Sequence, residues 1–157
     1  MSMTYWEDFQ VGQVYRFGRK DVNREEMLAF AERFDPHPLH LDRDAAQAAG
    51  FRDICASSFQ VCGFCMRIMV DERLKGSASQ GSPGVDELRW LLPVYPGDSL
   101  TVHQEILGKR RHPRRPEMGF CNSSFELRNQ DDAVVMRMFS AGIFKLRNPE
   151  APMEEQA

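Results

Sequence analysis

The stretch from Ala56 to Leu74 is the longest apolar-rich segment of the chain, and it constrains the fold more than any other. Phe59, Val61, Cys62, Phe64, Cys65, Met66, Ile68, Met69 and Val70 surround much of a helix circumference. A helix that is apolar on most sides is normally a buried helix. Ser57 and Ser58 are its candidate N-caps. Almost everything after it reads as β-structure, so one long apolar helix has to be wrapped by a concave sheet. The expectation is an α+β domain with helices on one side of an antiparallel sheet.

The strands follow from alternation and turn chemistry. Gln13 to Asp21 starts with partial alternation and reads as a strand. Val85 to Leu92 is a second. Pro96-Gly97-Asp98 predicts a type II turn, since Pro suits its second position and Gly its third. Ser99 to Arg110 alternates through Leu100, Val102 and Ile106, with one mismatch near Leu107. Gly119 to Arg128 and Ala133 to Leu146 complete the set around a turn at Asn129 to Asp132. Gly76 to Gly84 is rich in Ser and Gly and reads as a loop. The polar tail, residues 148–157, is expected to be flexible.

Helices fill the gap between the first strand and the apolar segment. Asn23 is an N-cap, with Glu26 as its capping-box partner. Met27, Leu28, Phe30, Ala31 and Phe34 then repeat at helical spacing. That helix must stop before Pro36. Asp42 caps a short helix from Arg43 to Ala49, which Gly50 closes.

At 157 residues the chain reads as one domain, 1–157, with a core of about 5–147. Its net charge of −3 does not suggest a nucleic-acid partner. The N-terminus has no basic and apolar leader pattern. No apolar run reaches the roughly 20 residues that span a bilayer, so no membrane association is expected and the reading is cytoplasmic. Cys62-Gly63-Phe64-Cys65 matches a C-x-x-C spacing, but it lies inside the apolar helix with no second pair or nearby His. Core packing is the preferred reading over redox or metal chemistry.

The segment Asp35-Pro36-His37-Pro38-Leu39-His40-Leu41-Asp42 packs a carboxylate and two imidazoles around two prolines. Each Pro fixes its own φ and pushes the residue before it out of the helical region. Asp35 to His40 therefore reads as a rigid extended loop instead of a helical turn. A rigid loop that carries an acid/base pair suits proton transfer, and a Pro-rich surface turn is the alternative.

Three pieces in order resemble the MaoC-like hydratase/dehydratase family, which has the hotdog fold. They are Asp35-Pro36-His37-Pro38-Leu39-His40-Leu41-Asp42, the segment Gly50 to Ser58, and Asp86 to Leu91 followed by Pro93-Val94-Tyr95-Pro96-Gly97-Asp98. The resemblance spans about residues 5 to 147. It implies an antiparallel sheet wrapped around one long central helix, and a hydro-lyase that adds water to a trans-2-enoyl thioester or removes it from a 3-hydroxyacyl thioester. By the same resemblance Asp35 and His40 are the catalytic pair. His37 stands where the family has a water-positioning asparagine; the alternative is that it faces solvent. The backbone N–H groups of Ser57 and Ser58 form the oxyanion site, and Ser58 stands where the family often has glycine. The implied partners are an acyl-CoA or acyl-carrier-protein thioester and a second copy in a homodimer or larger homo-oligomer. No prosthetic group or metal is implied; coenzyme A enters as part of the substrate. Arg110 and Arg111, in the basic run from Lys109 to Arg115, are candidate contacts for its phosphates, although the run reads first as a solvated hairpin tip. A thioesterase on the same fold and a non-catalytic acyl-thioester-binding subunit are the rival functions.

Overall fold

The computed structural model describes residues 2–152. After a 3-10 turn at Trp6–Asp8 come β1 (Val14–Asp21), α1 (Arg24–Phe34), α2 (Pro38–Leu41), α3 (Arg43–Ala48) and α4 (Ser58–Met69), which runs on into a π turn, Val70–Leu74. Strands β2 (Val85–Trp90), β3 (Ser99–Arg111), β4 (Met118–Arg128) and β5 (Val134–Lys145) follow. The strands form one antiparallel sheet in the order β1-β3-β4-β5-β2. α4 lies against its inner face, where Val61, Phe64, Cys65 and Ile68 pack with Leu100, Val102, Leu127 and Met136 in the main core. The expected architecture is therefore present.

The all-round apolar character of α4 has a different reason from burial on every side. One face is in the core, but Phe59 is 70% and Met66 50% exposed. Together with Cys62 and Met69 they wall a cavity between α4 and the sheet. The two cysteines of the C-x-x-C spacing are free thiols facing methionine sulfurs. Burial pushes the Cys65 thiol up to about 12, which makes it inert.

The helix starts are set by local chemistry. Asn23 caps α1 by accepting from the Glu26 N–H at 3.1 Å. The Glu26 carboxylate does not return to close a box; it pairs with Lys20 at 2.6 Å. Asp42 caps α3 through the N–H groups of Asp44 and Ala45. The expected extended loop through His40 is corrected in one respect. Asp35 and His37 are indeed non-helical, but Pro38–Leu41 closes a single α-turn. Pro is favourable at the first helical position, where its missing N–H has no partner to lose. His37 caps this turn with Nδ1, which accepts from the Leu39 N–H at 3.3 Å.

Two irregularities shape the sheet. The alternation mismatch at Leu107 is a bulge, since the β3–β4 register shifts between Ile106 and Gly108. A second bulge between Phe17 and Lys20 places Gly18 at φ +75°. A Cβ there would collide with Ile68 Cγ2 of α4. The expected flexible tail divides: residues 153–157 lie outside the described residues, whereas Asn148 to Ala151 is held. Glu7 accepts from the Asn148 N–H at 2.9 Å, and Arg111 donates to the Pro149 and Ala151 carbonyls at 2.8 and 3.1 Å.

Gly18 lets β1 approach α4, so Gly18→Ala is expected to destabilise the fold by about 1–3 kcal/mol through overpacking and a strained φ. Urea unfolding would show it as a lower midpoint at unchanged slope.

Candidate functional site

The turn Tyr95-Pro96-Gly97-Asp98 is where the site begins. Gly97 has φ +88°, and the Asp98 N–H donates to the Tyr95 carbonyl at 3.1 Å, as a type II turn requires. Val22 hydrogen-bonds both sides of the turn, and the Val94 carbonyl then accepts from the Ala56 N–H at 2.8 Å. The start of α4 is thereby fixed to the sheet. Arg24 at the start of α1 holds Asp53 on the other side, donating from Nη1 at 3.1 Å. The hydrogen bond from Arg24 holds the Asp53 carboxyl below its usual range, against the opposing effect of burial.

Asp35 is the C-cap of α1, anchored by its N–H to the Ala31 carbonyl at 2.9 Å. His40 lies in the α2 turn. Its Nδ1 is 2.7 Å from the Cys55 carbonyl, which accepts hydrogen bonds but cannot donate one, so Nδ1 carries a proton. Nε2 is 3.2 Å from Asp35 Oδ2. With Nδ1 protonated, that contact is attractive only when a further proton lies between the two groups. Asp35 and His40 are thus placed so that a proton can be shared between them. Their side chains are 37% and 13% exposed, so the pair is open to a ligand on the carboxylate side.

Ser57 completes the arrangement. Its hydroxyl is the N-cap residue's natural donor–acceptor group, yet it makes no cap bond. It donates to Asp35 Oδ2 at 2.7 Å instead. Among the described residues, the first N–H groups of α4 at Ser58 and Phe59 accordingly have no acceptor. They point where the helix dipole favours negative charge. Two openings flank Asp35. A cleft of about 430 Å³ is lined by Asp35, His37, His40, Ser58 and Trp90. A second of about 460 Å³ is lined by Phe30, Phe34, Asp35, Ser57 and Phe59.

The structure therefore brings Asp35, His37, His40, Ser57 and Ser58 to one place. His37 is exposed on the rim, with its ring centroid 6.0 Å from that of His40. Arg110 and Arg111 are not brought there within one chain. They end β3, at the far end from Ser99, and Arg111 also donates to the Pro116 carbonyl at 3.0 Å. Arg110 lies over the Phe120 ring at 4.0 Å. Sequence reasoning treated Ser57 as a backbone donor and missed its side-chain contact with Asp35. The pair of serines at a helix start signals a cap, and nothing local shows that the hydroxyl is claimed by a residue 22 positions earlier. The Cys55 carbonyl carried no signal at all.

Residues 8–124 match the family model of the MaoC like domain, and the chain belongs to that family. It is similar to the uncharacterized protein YdeM of Bacillus subtilis, with 28% identity over 129 residues that cover 82% of this chain and 90% of that one. The MaoC-like dehydratase from Rhodospirillum rubrum has 30% identity and a TM-score of 0.83, with 92% of this chain and 99% of that one covered. The (R)-hydratase from A. caviae involved in PHA biosynthesis shares the fold, with a TM-score of 0.68 at 24% identity over 89% of this chain and 98% of its own. The sheet order with one helix on its inner face is the hotdog fold.

Two outcomes are expected of the site's supports. Ser57→Ala removes one hydrogen bond to Asp35 and should lower the unfolding free energy by about 1 kcal/mol, measured in urea. Asp53 titrates lower folded than unfolded, so its stabilisation is complete above the ordinary carboxylate value of 3.8 and is lost as pH falls through the folded value. Stability measured by unfolding between about pH 4 and pH 2 should fall less in Asp53→Asn than in the wild type.

Proposed function

We propose that the protein is an acyl-thioester hydratase/dehydratase acting on trans-2-enoyl or 3-hydroxyacyl thioesters of coenzyme A or an acyl carrier protein. The observation that carries this reading is the 3.2 Å contact between Asp35 Oδ2 and His40 Nε2 beside the uncapped start of α4. Hydration takes one proton from water, forms a C–O bond at C3, and returns one proton to C2. A carboxylate and an imidazole that hold the same water do both on one face. Negative charge that builds on the thioester oxygen is met by the N–H groups of Ser57 and Ser58 and by the helix dipole. His37, on the rim of the same cleft, positions the water or the substrate. This chemistry needs acid/base groups and an oxyanion site, so no prosthetic group enters the proposal, and coenzyme A is part of the substrate.

The working unit in this proposal is a homodimer or a larger homo-oligomer. Its support is the edge strand β2 and the turn after it, where Val85, Trp90, Leu91 and Leu92 are 52%, 41%, 47% and 46% exposed. Paired edges would cover these side chains and remove an unprotected sheet edge.

The test follows the enoyl-thioester absorbance with crotonyl-CoA and a medium-chain trans-2-enoyl-CoA. The wild type is expected to consume the band. Asp35→Asn and His40→Ala are each expected to lose on the order of 10²–10⁴ in rate. Release of free thiol from a saturated acyl-CoA would replace this reading with a thioesterase, and binding without turnover would replace it with a carrier subunit.

A further inference from the structure

A cavity of about 570 Å³ lies between α4 and the inner face of the sheet. Phe59, Cys62, Met66, Met69 and Arg73 all line it. Their spacing, alternately three and four residues, puts them in one stripe along α4 and the π turn. The stripe starts at the candidate catalytic end, because Phe59 also lines the opening beside Asp35 and Ser57. It ends at Arg73. At 1.5 Å rise per residue the span from Phe59 to Arg73 is roughly 20 Å, shortened by the lean of side chains toward the helix N-terminus.

Arg73 is unusual in its surroundings. It is only partly exposed, with its guanidinium 3.9 Å from the Tyr15 ring centroid and 5.7 Å from that of Phe17. Among the described residues it makes no hydrogen bond and no ion pair. Of the two acids that precede it in sequence, Asp71 is held by Arg67 and Lys75. Glu72 lines a separate groove with Gly18 and Lys20. A guanidinium with five donors and no acceptor at the wall of an apolar cavity is poised for an anion.

The sheet supplies polar groups in the same cavity. Gln104 and Ser123 are 8% and 4% exposed, and Gln104 Nε2 donates to Ser123 Oγ at 3.0 Å. Both face inward among Phe9, Phe125, Met138 and Phe144. Cys121 sits two residues from Ser123 on the same face. Tyr15, whose ring carries the Arg73 guanidinium, is the cross-strand partner of Gln104, which places Arg73 near this polar pair. An apolar substrate tail would have no use for any of these groups, and leaving them against it would be unfavourable.

We propose that the acyl chain of the substrate lies along this stripe and that Arg73, with Gln104 and Ser123, binds a carboxylate at its far end. The substrate class is then a monothioester of a medium- to long-chain dicarboxylic acid. Met66, Met69 and Met138 give the wall an adaptable surface for such a chain. This inference rests on the acyl-thioester reading above.

Binding of saturated chains tests it on the full-length protein without turnover. Dodecanoyl-CoA is titrated against the monothioester of dodecanedioic acid with coenzyme A, and hexadecanoyl-CoA against its dicarboxylic counterpart. The wild type is expected to bind the carboxylate-ended member of at least one pair roughly 10- to 100-fold more tightly, the range for a charged hydrogen-bonded partner. Arg73→Met is expected to abolish that preference, so that the two members of each pair bind alike. Equal affinities within both pairs in the wild type, or a preference that survives Arg73→Met, would overturn the assignment. The wild-type comparison decides even where the variant fails to fold. If methyl-ended chains bind without any preference, the thioester reading stands and the carboxylate site falls; if no thioester binds, both fall.

Discussion

The hydrogen bond from Ser57 Oγ to Asp35 Oδ2 joins the two halves of the site and sets the state of each. It orients the carboxylate that His40 Nε2 approaches from the other side. It also takes the hydroxyl that would otherwise cap α4, so the first N–H groups of the helix have no acceptor among the described residues. One donor therefore sets the geometry of both the carboxylate and the helix start. Its geometry depends on the rest of the fold. The Val94–Ala56 hydrogen bond and the turn at Pro96 and Gly97 fix the helix start, while Arg24 and Asp53 fix the segment that leads into it.

α4 divides its surface between two roles. Val61, Phe64, Cys65 and Ile68 belong to the core and hold the sheet to the helix. The stripe from Phe59 to Met69 faces a cavity. Hydrophobicity alone does not separate these cases, since both faces have the same composition. Cavity-lining and core residues differ in what the sheet places opposite them. Here the sheet places two buried polar residues, Gln104 and Ser123, opposite part of the stripe.

Much of the architecture was legible because local rules and tertiary packing agree. Asn23 and Asp42 cap their helices, Pro36 stops α1, and Gly97 takes the positive φ that its turn demands. The mismatch in alternation at Leu107 marks a real bulge. Glu26 departed from its expected role because Lys20, from a neighbouring strand, offered a stronger partner than a backbone N–H. The α2 turn departed because the same prolines that forbid helix at Asp35 and His37 favour it from Pro38 onward.

Sequence by itself determined the family, the order of elements and the presence of an acid, two imidazoles and a helix start in one region. These follow from residue types at short spacing, where backbone sterics and side-chain periodicity act locally. Only the tertiary structure decided which oxygen of Asp35 meets His40, that the Cys55 carbonyl sets the His40 tautomer, and that Ser57 leaves its helix uncapped. It alone placed Arg73 on a cavity wall with no ion-pair partner among the described residues. Each of these is a contact between atoms whose distance depends on how sheet and helix pack, and a linear pattern carries no distance between segments that meet only after folding.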